Sequence, residues 1–254
     1  MIIELDHIVA AFFVLLRTGA FFFGLPYMVG KIIPVQVRAA LALCLTVLLL
    51  PFVPVELDMA FASHYLGAIL IGTNEILIGL LMGFTVRLVF YGLEVAGHVT
   101  SMEIGLIRNE SLNPFGVQGS VISSLLFYFA LILFFTTGLN YMVLTAFSES
   151  FHLLPIGTPL FHIHSFDDFL AETSDIFLIG LLIAAPFIAV SLSINLVLAV
   201  LGKAAPKINV FMTSFAVRIL AGMSLFISSI LLLKAYILEY LYKIPGNMLI
   251  FLEN

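Results

Sequence analysis

Residues 92–119 read GLEVAGHVTSMEIGLIRNESLNPFGVQG, and how this stretch is read decides the fold. Long apolar segments flank it on both sides. Inside it stand Glu94, Glu103, Arg108 and Glu110, glycines at 97, 105 and 116, and an Asn113-Pro114 turn signal. A membrane chain tolerates polar, irregular backbone only in water or enclosed by protein. The stretch is therefore either a water-facing loop or the filling of a cavity built by the rest of the molecule.

Composition settles the setting. The chain has 254 residues, 62% hydrophobic and 10% charged, with a mean hydropathy of +1.21. Soluble domains are about 45–50% apolar and about 25% charged, so this excess reads as a polytopic, all-α integral membrane protein. The N-terminus, MIIELDHIVAAFF, has no positive n-region, so the first helix is expected to stay in the mature protein. The net charge is −5 with no basic run, which argues against a nucleic-acid partner. Cys44 lies in an apolar run and reads as a packed small hydrophobe.

Apolar runs of about 20 residues are membrane-helix candidates. Six occur, at 8–25, 39–54, 65–91, 120–147, 174–201 and 209–240. Their uneven lengths fit six plain crossings poorly. Lys31 and Arg38 follow the first, Arg87 and Arg108 the third, and Lys203 and Lys207 the fifth. The alternate connections hold Glu56, Asp58, Asp167, Asp168 and Glu172 and no Lys or Arg. The positive-inside rule then puts both termini outside, with Lys234 and Lys243 as exceptions.

Polar groups within the spans need partners. A central arginine costs about 2.5–3.5 kcal/mol on insertion scales, so Arg17 requires a carboxylate or water. Arg17, Glu75, Glu94 and Arg218 form a candidate charge network, either lining a polar path or locking helices together, as in an Arg17–Glu75 pair. Gly72, Glu75, Gly79 and Gly83 share a helix face that allows close packing. Pro186 is expected to kink the fifth span, and Asn195 in the same span lacks an obvious partner. His162 and His164 with Asp167 and Asp168 read as a solvated acidic turn rather than a metal site. No hydrolase, zinc-protease or phosphate-loop pattern is present, so neither an enzyme nor a cofactor is expected.

Four stretches together carry a family likeness. They are Arg17 with Pro26, Pro34, Arg38 and Pro51; Glu75, Gly79 and Gly83 leading to Ala96-Gly97, Glu103, Gly105 and Asn113-Pro114; Ser150 to Gly157, SFHLLPIG; and Ala185-Pro186, Asn195, and GKAAPKINVF from Gly202, with Arg218 and Gly222. In their order and spacing the chain resembles the FliR family of flagellar type III export-gate components, and also the injectisome counterpart SctT. It departs from the family at Lys207, where glutamine is usual.

The resemblance implies a FliP/FliQ-like arrangement of about six long helices and hairpins, joined in a helical ring rather than a plain bilayer bundle. It implies one export-gate membrane domain over 1–254. Residues 1–173 would be the FliP-like part, and 174–254 a FliQ-like hairpin. It places a pore plug at about 103–118, with Met102, Glu103, Ile104, Gly105, Leu106, Ile107, Arg108, Asn113, Pro114, Phe115 and Gly116 as gate residues. Residues 92–102 would extend the preceding helix. A hairpin tip at Lys203, Pro206 and Lys207 would face the cytoplasmic entrance. Implied partners are FliP-like and FliQ-like subunits, a FlhB-like subunit at that entrance, unfolded export substrates and membrane lipid. The implied location is the bacterial inner membrane within the flagellar basal body, and the short C-terminus leans flagellar. A small-molecule or ion transporter acting alone is the competing class.

Overall fold

The computed structural model describes residues 5–28, 33–54, 65–106, 120–158, 163–204, 209–250 and 252. Among them the fold is all-α, with no strand. The helices are α1 Leu5–Gly24, α2 Val35–Leu49, α3 Tyr65–Ile104, α4 Val121–Thr136, α5 Leu139–Leu153, α6 Ile163–Ala204 and α7 Val210–Ile250. Short 3₁₀ turns sit at Pro26–Met28 and Leu50–Phe52.

The chain divides into two compact units that interleave in sequence. One comprises 1–89, 135–172 and 242–254, the other 90–134 and 173–241. Among the described residues four helices are long and apolar enough to cross a membrane, or five if α4 and α5 are counted as one broken span. The first apolar segment, Ile8–Gly24, falls short of the others. At 1.5 Å per residue its 17 positions reach about 26 Å, less than a hydrocarbon core of about 30 Å.

Several boundaries differ from the hydropathy reading for identifiable reasons. The 120–147 run is two helices, because Gly138 adopts φ +76 between them. Helix α6 begins at Ile163 and carries the acidic residues Asp167, Asp168 and Glu172 on its first turns. Helix α7 continues through Pro245 to Ile250. Pro186 lies inside α6, which stays continuous across it. A span search keyed to apolarity truncates α6 and α7 where the sequence turns polar, although their backbone bonds continue.

In the first unit, α1 crosses the first half of α3 at backbone contact distance. A Cβ placed on Gly79 would lie 2.2 Å from the Arg17 carbonyl oxygen, and one on Gly83 would lie 2.5 Å from that of Phe21. A Cβ on Gly24 would in turn lie 2.7 Å from Gly83 Cα. This is the small-residue packing that replaces hydrophobic drive between helices in lipid. Phe21 stacks on Phe147 at 4.3 Å between ring centroids, and Phe147 meets Phe151 edge-on at 5.5 Å.

Two apolar elements stay open. Only 11% of the Val35–Phe52 window and 11% of the most apolar α7 window are buried, against 61% for α3. Cys44 is exposed on α2 rather than packed, because that helix turns most of its circumference outward. Between α1 and α2, burial pushes the Tyr27 phenol up to about 12, so it stays neutral at any physiological pH.

Candidate functional site

Arg17 is held by several partners within the first unit. It is fully buried on α1, and so is Glu75 on α3. Nε donates to Glu75 Oε2 at 2.6 Å. Nη1 donates to the Ser150 carbonyl at 3.1 Å and faces the Ser150 hydroxyl at 3.4 Å. Nη2 donates to the Leu154 carbonyl at 3.0 Å. The guanidinium lies 4.3 Å from the centre of the Phe151 ring. Glu75 Oε1 accepts the Gly157 amide at 3.2 Å, and the neighbouring Asn74 amide donates to the Thr158 carbonyl at 2.6 Å.

This geometry gives SFHLLPIG a physical meaning. Ser150 and Leu154 offer carbonyls at the C-terminal end of α5, where the helix dipole is negative and favours a cation. Gly157, at φ +94, turns its amide toward Glu75. The cluster is thus a closed polar knot tying α1, α3 and the end of α5 within one unit.

The second unit holds both roots of the loop that opens the sequence reading. Helix α3 ends in a Schellman motif. Gly105 has φ +87, its amide reaches Ser101 and Met102 carbonyls at 3.1 Å each, and the Leu106 amide reaches Ser101 O at 2.9 Å. Met102, Glu103 and Ile104 are therefore helical, two residues beyond the expected helix end, because glycine at 105 supplies the stop. Met102 is exposed, whereas Ile104 is buried beside Gly222 of α7, whose added Cβ would lie 2.4 Å from Ile104 Cγ1.

The chain returns at Ser120, which caps α4 by accepting the Ser123 amide at 3.0 Å. Ser120 Oγ also donates to the Gly97 carbonyl at 3.2 Å, and Ser123 Oγ donates to that of Glu94 at 2.9 Å. Gly97 makes this possible, since a Cβ there would lie 2.4 Å from Ser123 Cα. Residues 107–119 thus connect two points that both pack on one helix. Those points, Ile104 and Gly97, are seven residues or about 10 Å apart along the α3 axis. Ile107, Arg108, Asn113, Pro114, Phe115 and Gly116 lie outside the described residues.

Residues 8–243 match the family described as bacterial export proteins, family 1. The chain belongs to that family. It is 29% identical to flagellar biosynthetic protein FliR of Escherichia coli (strain K12) over 239 residues, 94% of this chain and 90% of that protein. It is also 29% identical to FliR of Buchnera aphidicola subsp. Acyrthosiphon pisum, covering 96% and 92%. FliR of Aquifex aeolicus is 28% identical, with 84% and 82% covered.

In this export protein the four charges singled out as a network do not form one cluster in a single unit. Arg17 and Glu75 pair in the first unit. Glu94 and Arg218 belong to the second, where Arg218 Nη2 donates to Asn195 Oδ1. That bond supplies the partner Asn195 requires. Lys203 is exposed at the end of α6, while Pro206 and Lys207 lie outside the described residues. Sequence reasoning missed the two loop roots. Ser120 immediately before the apolar run that starts at Val121, preceded by Gly119, was the available capping signal.

Replacing Gly222 with valine is expected to push Ile104 out of its seat. Overpacking of this kind costs about 1–3 kcal/mol, read as a lower thermal midpoint of the purified protein in detergent.

Proposed function

We propose that this chain is a pore-forming subunit of the flagellar type III protein export gate. It carries unfolded export substrates across the inner membrane and seals the pore with the loop after α3. Likeness to flagellar FliR proteins over nearly the whole of both chains carries this reading. The two fixed loop roots on α3 are consistent with a segment presented into a pore from a rigid base.

A pore wide enough for an extended polypeptide leaks ions unless it is blocked, and apolar constrictions block by dewetting. Residues 103–118 offer Ile104, Leu106, Ile107, Leu112, Pro114 and Phe115 for that task. Arg108, Glu103 and Glu110 would hold the closed loop against neighbours. The open apolar faces of α2 and α7 need covering, by lipid or by FliP-like and FliQ-like subunits. The tip at Lys203, Pro206 and Lys207 would meet a FlhB-like subunit at the cytoplasmic entrance, with both termini periplasmic.

Deleting residues 106–116 in the assembled complex is expected to raise ion leakage across the inner membrane. Unchanged leakage, with the complex still assembled, removes the plug assignment. A solitary transporter would instead show uptake by this chain alone in liposomes. The export-gate reading expects the isolated chain to be inert and to co-purify with FliP-like and FliQ-like proteins.

A further inference from the structure

A small recess in the second unit lies at the root of the loop. Glu103 of α3, Ser191 of α6 and Arg218 of α7 line it, with Phe187, Val190 and Ile194 as apolar walls. Its volume is about 10 Å³, close to the minimum that seats one water molecule. Ser191 is 3% exposed. Among the described residues its hydroxyl has no hydrogen-bonding partner, and neither does the buried Arg218 Nε. Glu103 and Arg218 face this recess without forming a direct ion pair.

The geometry points to a one-water site that joins Glu103, Ser191 and Arg218 and so fixes the end of α3 to the α6–α7 hairpin. A water has two donors and two acceptor sites. It can donate to the Glu103 carboxylate and accept from Arg218 Nε, leaving Ser191 to donate or accept at a third. Three polar partners are the usual complement of a buried water. Such bridges are nearly as favourable in enthalpy as direct bonds. Arg218 extends the chain to Asn195 on α6, so three helices are held through one hydrated charge pair. Ile104 beside Gly222 supplies the apolar contact next to it. Glu103, Ser191 and Arg218 are positioning residues for the Gly105 stop, whatever the loop beyond it does.

The test is hydrogen exchange at amides 98–106 in the full chain purified with its co-purifying subunits. Glu103→Gln and Arg218→Gln are each expected to speed exchange by about tenfold, the scale of a charge-assisted bond. The double variant should go no further than Arg218→Gln alone, because both changes remove the same bridge and only the arginine change also removes the bond to Asn195. Ser191→Ala should speed exchange by a few-fold, and Ser191→Val, which fills the recess with methyl groups, by at least as much. Slower exchange in Ser191→Val shows a dry packing gap and overturns the proposal. So does unchanged exchange in Glu103→Gln and Arg218→Gln, or single effects that multiply in the double. If the charge variants fail to accumulate, the two Ser191 variants decide alone.

Discussion

Arg17→Ala is expected to abolish accumulation of the folded chain. Removing the guanidinium leaves Glu75 charged in a fully buried site, a loss of about 3–5 kcal/mol. It also leaves the Ser150 and Leu154 carbonyls without their donor at the end of α5. Against a total stability of about 5–15 kcal/mol, one such change can unfold the unit. Glu75→Ala should act in the same direction, leaving the arginine uncompensated and the Gly157 amide without its acceptor. Arg17→Lys should rescue little, since an ammonium cannot serve Glu75, Ser150 and Leu154 with the planar fork that reaches all three. The double replacement Arg17→Met with Glu75→Leu should recover much of the loss, as apolar substitutes for buried pairs often do. Full-length protein in membranes and the thermal midpoint in detergent measure this series. A parent-like midpoint for Arg17→Ala would show that the knot is not what holds α1, α3 and α5.

Gly97→Ala tests the other junction, where two effects oppose. Alanine is favoured over glycine inside a helix by about 1 kcal/mol, so α3 considered alone should gain. The packing says otherwise, because the new Cβ would lie 2.4 Å from Ser123 Cα and 2.6 Å from Ser123 N. Those are backbone atoms at a helix start and cannot rotate away. Relief requires α4 to move back, which stretches the Ser120–Gly97 and Ser123–Glu94 hydrogen bonds. Two such bonds at about 1 kcal/mol each exceed the propensity gain. The net result is destabilisation, larger for Gly97→Val. If residues 107–119 seal a pore as proposed, it should also bring a higher ion leak, because the anchor at Ser120 shifts. A raised thermal midpoint in Gly97→Ala would mean that propensity wins and that the approach is looser than described.

Some of this was legible in the residues. A lone arginine amid phenylalanines had to find a partner or water, and Glu75 on a glycine-lined face was the example named for the helix-locking reading. The small residues at 79 and 83 marked a close approach, and α1 is the helix that uses it. Asn195 called for a polar partner, and Arg218 is that partner. Other features were hidden by the nature of the signal. Hydropathy reports apolarity, so it could not see that α6 continues through its acidic first turns. It could not see that Gly138 splits one apolar run either, because glycine is common within membrane helices. The role of Ser150 and Leu154 rests on backbone carbonyls, which have no side-chain signature. The exposure of Cys44 depends on what surrounds α2, which one chain's sequence does not record. The residues from Ile107 to Gly116 lie outside the described structure, so the sealing role proposed for them rests on family likeness.

The Arg17 knot also carries a timetable. Its acceptors lie 58, 133 and 137 residues further along the chain. At about 5–20 residues per second of synthesis, the last of them emerges about 7–27 s after Arg17. For that interval the nascent first helix holds an unpaid cation in or beside the bilayer. Any chain that stalls before residue 154 therefore lacks the Leu154 carbonyl that takes one arm of the guanidinium. The same side chain that secures the finished fold thereby completes its bonds only in a copy that has reached residue 154.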